Sequence, residues 1–361
     1  MQERMPVRLI AAAIVFASMA GPALCQPAGP SADVSAQPDS ADSPGSERWL
    51  FADRIYYEPL LAEQRAARIF LLFPGWSEEF PHSQETGNRF AWQITMGREI
   101  PIVGWQSERV GLARLSRGKW GFGLWTPIAF HMAEDFKDES APIVDTDYRF
   151  GVMTKFQYGL TDNSWLSLRF VPWAHESTHL GDEYTIFAAA QPGFERINVS
   201  YEYWEYGISY ERSFGRDSLL TLRHGGISLW GGDGYYTDRL LGETDPSLSV
   251  SEKNFEPSFG LEYRFPTRGG GGVLPGGEEQ TRQIIVSVDF RSRLQYSFHH
   301  PASGEEQRRP TWTIAVGRAA VEGNRAFLRS YFGYFTHGVN PFGQLREQYP
   351  YWAAGIGWVF Q

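Results

Sequence analysis

Alternation of apolar and polar residues, not helical periodicity, organises the chain after residue 70. In VDTDYRFGVMTKFQY, Val144, Tyr148, Phe150, Val152, Phe156 and Tyr158 share one face, and Asp145, Asp147, Arg149, Lys155 and Gln157 share the other. In QIIVSVDFRSRLQYSF, Ile284, Val286, Val288, Phe290, Leu294, Tyr296 and Phe298 oppose Ser287, Asp289, Arg291, Arg293 and Gln295. NFEPSFGLEYRF sets Phe255, Phe259, Leu261, Tyr263 and Phe265 against Glu256, Ser258, Glu262 and Arg264, and WAAGIGWVF ends the chain in the same manner. Twelve such segments are expected, near 67–73, 89–97, 119–134, 144–159, 163–177, 194–212, 217–230, 253–265, 281–298, 310–320, 325–337 and 350–360.

Segments of about 10 to 16 residues exceed the usual strand, and an apolar face opposite a charged one suits a barrel in lipid. The even count and the alternation of short turns (LTDN, FGRD, VEGN) with long connections predict a closed antiparallel transmembrane β-barrel. Two connections break the alternation: TRGGGGVLPGGEEQ, and a longer one over about 98–118.

Composition sharpens this picture. The chain has 13 Trp, 17 Tyr, 25 Phe and 38 Gly, with aromatics near strand ends where interfacial girdles lie. The net charge of −9 argues against nucleic acid as a partner. At the N-terminus, Arg4 and Arg8 precede LIAAAIVFASMAG and an ALC-QPA cleavage pattern, the arrangement of a signal peptide over 1–25. No later apolar run approaches the ~18 residues of a membrane helix. Cys25 is the single cysteine, so cleavage after it leaves no thiol chemistry. The Pro, Ser, Ala and Asp of residues 26–47 predict a disordered linker, leaving 48–361 for the barrel and the bacterial outer membrane as its place.

The densest chemistry is HESTHLGDE, His175–Glu183, at the end of the strand SWLSLRFVPWAHES. His175 and Ser177 are two apart on a strand and share a face, the start of an acyl-transfer site with imidazole as base. Glu202 or Asn198 on the next strand would orient that base. The outer-membrane phospholipase and lipid A deacylase families carry a similar His-x-Ser on a barrel strand, followed by an asparagine where Thr178 stands here. Parity is the objection. Leu166, Leu168, Phe170, Pro172 and Ala174 form the apolar set, so His175 and Ser177 follow Ser167 and Arg169 into the lumen, unless a bulge at Pro172 reverses the register.

His175, Glu176 and His179 also fit H-E-x-x-H, but that zinc motif works on a helix; on a strand the histidines lie ~13 Å apart. Asp182 and Glu183 offer oxygen ligands for calcium at an exposed turn, and no other cofactor is implied. The plainest reading of the whole run is a polar turn at the barrel rim.

Inward faces predict a charge-paired lumen. About nine basic residues (Arg149, Lys155, Arg169, Arg196, Arg223, Arg264, Arg291, Arg293, Arg329) meet about six acidic ones (Asp145, Asp147, Glu202, Glu256, Glu262, Asp289), by the period of two. After Tyr203 the apolar set becomes Trp204, Tyr206 and Ile208, which predicts a bulge there. Such charges must pair, since a lone buried charge costs several kcal/mol. The lumen is therefore narrow or nearly plugged, with a mild preference for anions. His179, Asp182, Glu183, Arg169, Arg196, Arg291, Arg293 and Asp289 are the candidate lumen or binding residues.

LLAEQRAARIF, DTDYRFG, HESTHLGDEY, ERINVSYE and NPFGQLREQYPYWAAGIGWVF occur in this order. Together they resemble the bacterial family catalogued as domain of unknown function twelve-oh-seven. The resemblance implies an exported, barrel-like protein and marks the histidine run as a signature without giving its chemistry. Two functions stand: a barrel with a narrow pore, binding or structural role, with outer-membrane lipid and small anionic solutes as partners, or a lipid hydrolase using Ser177 and His175. The direction of Ser177 discriminates them.

Overall fold

The computed structural model describes residues 46–50, 57–63, 66, 69–77, 88–107, 109–110, 117–118, 120–135, 143–181, 199–214, 218–230, 255–267, 272–273, 279–295, 307–322, 325–341 and 350–360. The proposed signal peptide, nearly all of the linker, and Asp182, Glu183, Arg196 and Asn198 lie outside them. The described elements are strands. They begin with β1 (Ser46–Leu50), β2 (Ile69–Ser77), β3 (Asn88–Ser107), and the two-residue pair β4 (Arg109–Val110) and β5 (Arg117–Gly118). Then come β6 (Trp120–Asp135), β7 (Ile143–Thr161), β8 (Ser164–Leu180), β9 (Val199–Phe214), β10 (Ser218–Trp230) and β11 (Phe255–Pro266). The chain finishes with β12 (Gly272–Val273), β13 (Glu279–Gln295), β14 (Gln307–Glu322), β15 (Arg325–Gly338) and β16 (Tyr351–Phe360).

Twelve of these close a ring. Each of β7 to β11 pairs with its predecessor, β11 pairs with β13, the order runs on through β14, β15 and β16 to β2 and β3, and β3 returns to β6. Every pairing is antiparallel, so the fold is a closed barrel of the outer-membrane type. All twelve expected segments are present. One differs in extent: β3 continues to Ser107, through most of what the sequence suggested was a connection. A register shift between Pro101 and Val103 inserts one residue, which inverts the alternation and hides the strand's second half.

The start of β2 and the end of β16 pair as Ile69 with Phe360, so both lie at one end, here called the terminal end. β8 begins at that end after the 162–163 turn and finishes at the far end. Apolar side chains cover the exterior: Tyr148, Phe150, Phe259 and Val316 are 46–50% exposed, an arrangement that suits lipid and not water.

The interior is filled by a segment that the alternation did not reveal. Residues 57–63 lie inside the barrel, with Tyr57, Leu60, Leu61, Ala62 and Glu63 all buried. They turn tightly, Glu63 N–H donating to the Leu60 carbonyl at 3.0 Å. One side of the lumen is apolar and takes Leu61 and Ala62 against Ile285, Ala315, Ala319, Phe332 and Val359. The walls also make room. A Cβ on Gly207 would stand 2.1 Å from the Tyr57 hydroxyl, and one on Gly260 2.2 Å from Leu60 Cδ1. Backbone groups of the segment are satisfied by wall side chains: Leu61 N–H donates to Glu262 (2.6 Å) and Ala62 N–H to Ser287 (3.1 Å).

Candidate functional site

The strand that carries the histidine run changes face partway along. Up to Val171, β8 places Ser167, Arg169 and Val171 inside. Beyond it, Ala174, Glu176 and Thr178 are the buried set. Between them the register against β7 passes from Phe170↔Thr154 to Trp173↔Val152, and against β9 from Val171↔Glu205 to Ala174↔Tyr203. Each step spends three residues of β8 on two of its neighbour, a bulge at Pro172–Trp173. Proline has no N–H to give the ladder, so an interruption there sacrifices no donor.

This corrects the expected parity. His175, Ser177 and His179 lie on the outward face, not in the lumen, because the inserted residue inverts everything beyond Pro172. The expected lumen residue His179 is the direct partner of the serine: Ser177 Oγ and His179 Nε2 are 3.1 Å apart. The His179 ring meets the exposed Tyr148 edge-on at 6.0 Å, and the His175 ring lies 5.3 Å from Phe150. Glu202 moves outward too. β9 keeps one parity from Glu202 to Phe214, with Tyr203, Glu205 and Ser209 buried, so the bulge expected after Tyr203 sits in β8 instead. His175 pairs with Glu202 and Ser177 with Ser200 in register. Serine, two imidazoles and a carboxylate thus share one exterior patch in the last third of β8.

The strand ends at Leu180, and the N–H of the next residue, Gly181, donates to the Val144 carbonyl at 3.1 Å. A Cβ there would stand 1.7 Å from the Ile143 carbonyl oxygen, so the glycine of the LGDE run is set by backbone approach. The strand conformation also removes the helix that zinc binding by H-E-x-x-H requires. Among the described residues no group of three His, Cys, Asp or Glu side chains is arranged to hold a metal.

Inside, Arg169, Arg291, Arg293 and Asp289 occupy the lumen wall. Arg169 pairs with Glu205, and lies 3.7 Å from Glu99 and 3.5 Å from Glu63. Arg291 reaches Asp289 at 2.8 Å and Glu63 at 3.6 Å, and Arg293 stands 3.8 Å from Glu256. Arg264 bridges Glu262 (2.7 Å) and Glu58 (2.9 Å), while Lys155 pairs with Glu99. Alternation missed several acids: Glu99, Glu176, Glu205 and Glu211 on the walls, and Glu58 and Glu63 on the inserted segment. With these added and Glu202 gone outward, the expected cationic excess disappears among the described residues.

A family described as "Protein of unknown function (DUF1207)" matches residues 45–298. No curated protein matches the sequence. Among solved structures, the chain is similar to outer membrane phospholipase A from Escherichia coli, with 10% identity over 85% of this chain and 95% of that one, at a TM-score of 0.44. It is also similar to the Salmonella typhi outer membrane phospholipase (9% identity, 82% and 91% covered, TM-score 0.40) and to a Pseudomonas aeruginosa FadL homologue (8%, 81% and 88%, TM-score 0.32). At such identities the likeness concerns the barrel fold and says nothing of activity.

Proposed function

We propose that this chain, which belongs to the DUF1207 family of proteins of unknown function, is an outer-membrane lipid acyl hydrolase with Ser177 as its nucleophile. One observation carries the reading: Ser177 Oγ stands 3.1 Å from an imidazole nitrogen on the barrel's exterior, among exposed aromatic side chains where lipid would lie. A serine hydroxyl is a poor nucleophile until a base takes its proton, and His179 is within reach to do so. Ser177 Oγ then attacks the acyl carbonyl as its proton passes to His179 Nε2. The imidazolium returns that proton to the departing alcohol, and water, activated by the same imidazole, hydrolyses the acyl-enzyme to free fatty acid. His175, opposite Glu202 in register, is a second imidazole with a carboxylate neighbour beside the reacting centre. With the terminal end in the periplasm, the patch faces the outer leaflet.

The filled lumen tells against an open pore as the resting function, since residues 57–63 occupy it. Purified protein should therefore release fatty acid from phospholipid or lipid A in mixed micelles, read by mass spectrometry. Ser177→Ala should lower the rate at least about 100-fold while the barrel keeps its heat-modifiable migration. Unchanged release by a folded Ser177→Ala protein, or no release from either lipid by wild type, would sink the proposal.

A further inference from the structure

The lumen contains a second site, independent of the exterior patch. Glu63 of the inserted segment is held by three guanidinium groups from three strands: Arg223 of β10 at 3.1 Å, Arg169 of β8 at 3.5 Å and Arg291 of β13 at 3.6 Å. Two of these arginines have other partners on the wall, Glu205 for Arg169 and Asp289 for Arg291. Arg223 differs. The groups in direct contact with it among the described residues belong to the segment: the Glu63 carboxylate, the Glu58 carbonyl, and the Tyr57 ring 3.9 Å from its guanidinium carbon, while Asp289 of the wall acts on it through its charge alone. So the direct partners of this guanidinium come from the segment and not from the wall.

Both neighbouring strands approach the segment from one end. β1 pairs with the last residues of β3, and β2 starts at the terminal end. Withdrawal of residues 57–63 toward that end would break the bonds of Leu61 to Glu262 and of Ala62 to Ser287 but would part no pairing between barrel strands. Withdrawal would strip Arg223 of its direct contacts and leave a cage shaped for a carboxylate.

We propose that Arg169, Arg223 and Arg291 form a lumenal binding site for the carboxylate or phosphate of a small solute, that Glu63 fills this site in the resting protein, and that departure of Glu63 opens the barrel and frees the site for the solute in exchange. The resting state already contains the receptor bound to a carboxylate, and three converging guanidiniums recognise phosphate oxygens by the same forked donors.

The full-length protein in planar bilayers tests this. Wild type should be silent in potassium chloride at neutral pH. Glu63→Lys places a cation among three arginines, so it should expel the segment and give discrete current steps. Millimolar succinate or inorganic phosphate should then reduce that current by at least about half, the two probes separating carboxylate from phosphate preference. Adding Arg223→Gln should leave the channel open and weaken the block about 10- to 100-fold, the worth of one charge-assisted hydrogen bond. A folded Glu63→Lys barrel that stays silent, or one that opens but ignores both anions, overturns the proposal. Should that variant fail to fold, excision of residues 57–63 takes its place with the same readouts. If neither folds, the segment is an obligatory part of the barrel and the exchange does not occur.

Discussion

Gly181 illustrates how one residue sets the geometry of the exterior patch. The ideal Cβ position lies 1.7 Å from a backbone oxygen of Ile143, closer than any flexible side chain would force. Gly181→Ala must therefore part β8 from the start of β7, next to the strand end that carries His179. We expect it to destabilise the barrel by about 1–3 kcal/mol, read as a lower urea midpoint in detergent. His179, 3.1 Å from Ser177 Oγ, is the base of the proposed hydrolase. His179→Ala should reduce lipid hydrolysis about 100- to 10,000-fold, the span of general base catalysis, and His175→Ala should reduce it less. Equal losses for the two would mean that the hydrogen bond to Ser177 does not choose the base. Both histidines share the parity of Ser177 in the sequence, and His175 was expected as the base because His-x-Ser resembles the motif of the outer-membrane hydrolase families.

At the scale of the element, the bulge at Pro172–Trp173 decides which side of the barrel the chemistry faces. In a Cys25→Ser background, Ser177→Cys should react with a lipid-soluble maleimide and Thr178→Cys should not. The reverse pattern would return the run to the lumen. Deleting Pro172 should restore plain alternation and turn Ser177 inward, with loss of labelling at that position. Alternation located β7, β11, β13 and β16 with their faces because large apolar residues mark most outward positions in them, though Val144, expected outward at the start of β7, is buried in the core. It failed beyond Pro172 for a physical reason. From His175 to His179 both faces are polar, so no apolar residue records which one meets lipid. The same loss occurs in β3, where an inserted residue between Pro101 and Val103 inverts the pattern. An extra residue leaves no compositional trace, and only the pairing of neighbouring strands exposes it.

For the molecule as a whole, the exterior was legible in the sequence and the interior only in part. Strand count, closure and the arginine-rich wall follow from a period of two. The filling of the lumen does not, since Tyr57–Glu63 has neither a strand nor a helix period and takes its place through long-range pairs with β10, β11 and β13. The sidedness of the wall makes a further prediction. Val288→Arg puts a charge on the exterior and should cost about 2–4 kcal/mol of barrel stability if it lies near the bilayer midplane. Ser287→Ala, one residue away and facing in, removes the hydrogen bonds to the Ala62 N–H and the Glu262 carboxylate but puts no charge in lipid, and should cost about 1–2 kcal/mol. Similar costs for both would contradict an exterior in lipid.

In the proposed hydrolase, Ser177 is an activated nucleophile on the outer surface of the barrel. Labelling the folded protein with a fluorophosphonate, which reacts with activated serines, and locating the adduct by peptide mass spectrometry tests it most directly. Ser177 should be modified, with the adduct lost in His179→Ala and blocked by added phospholipid or lipid A. An unlabelled Ser177 in protein that migrates as a folded barrel, or equal labelling with and without His179, would contradict it.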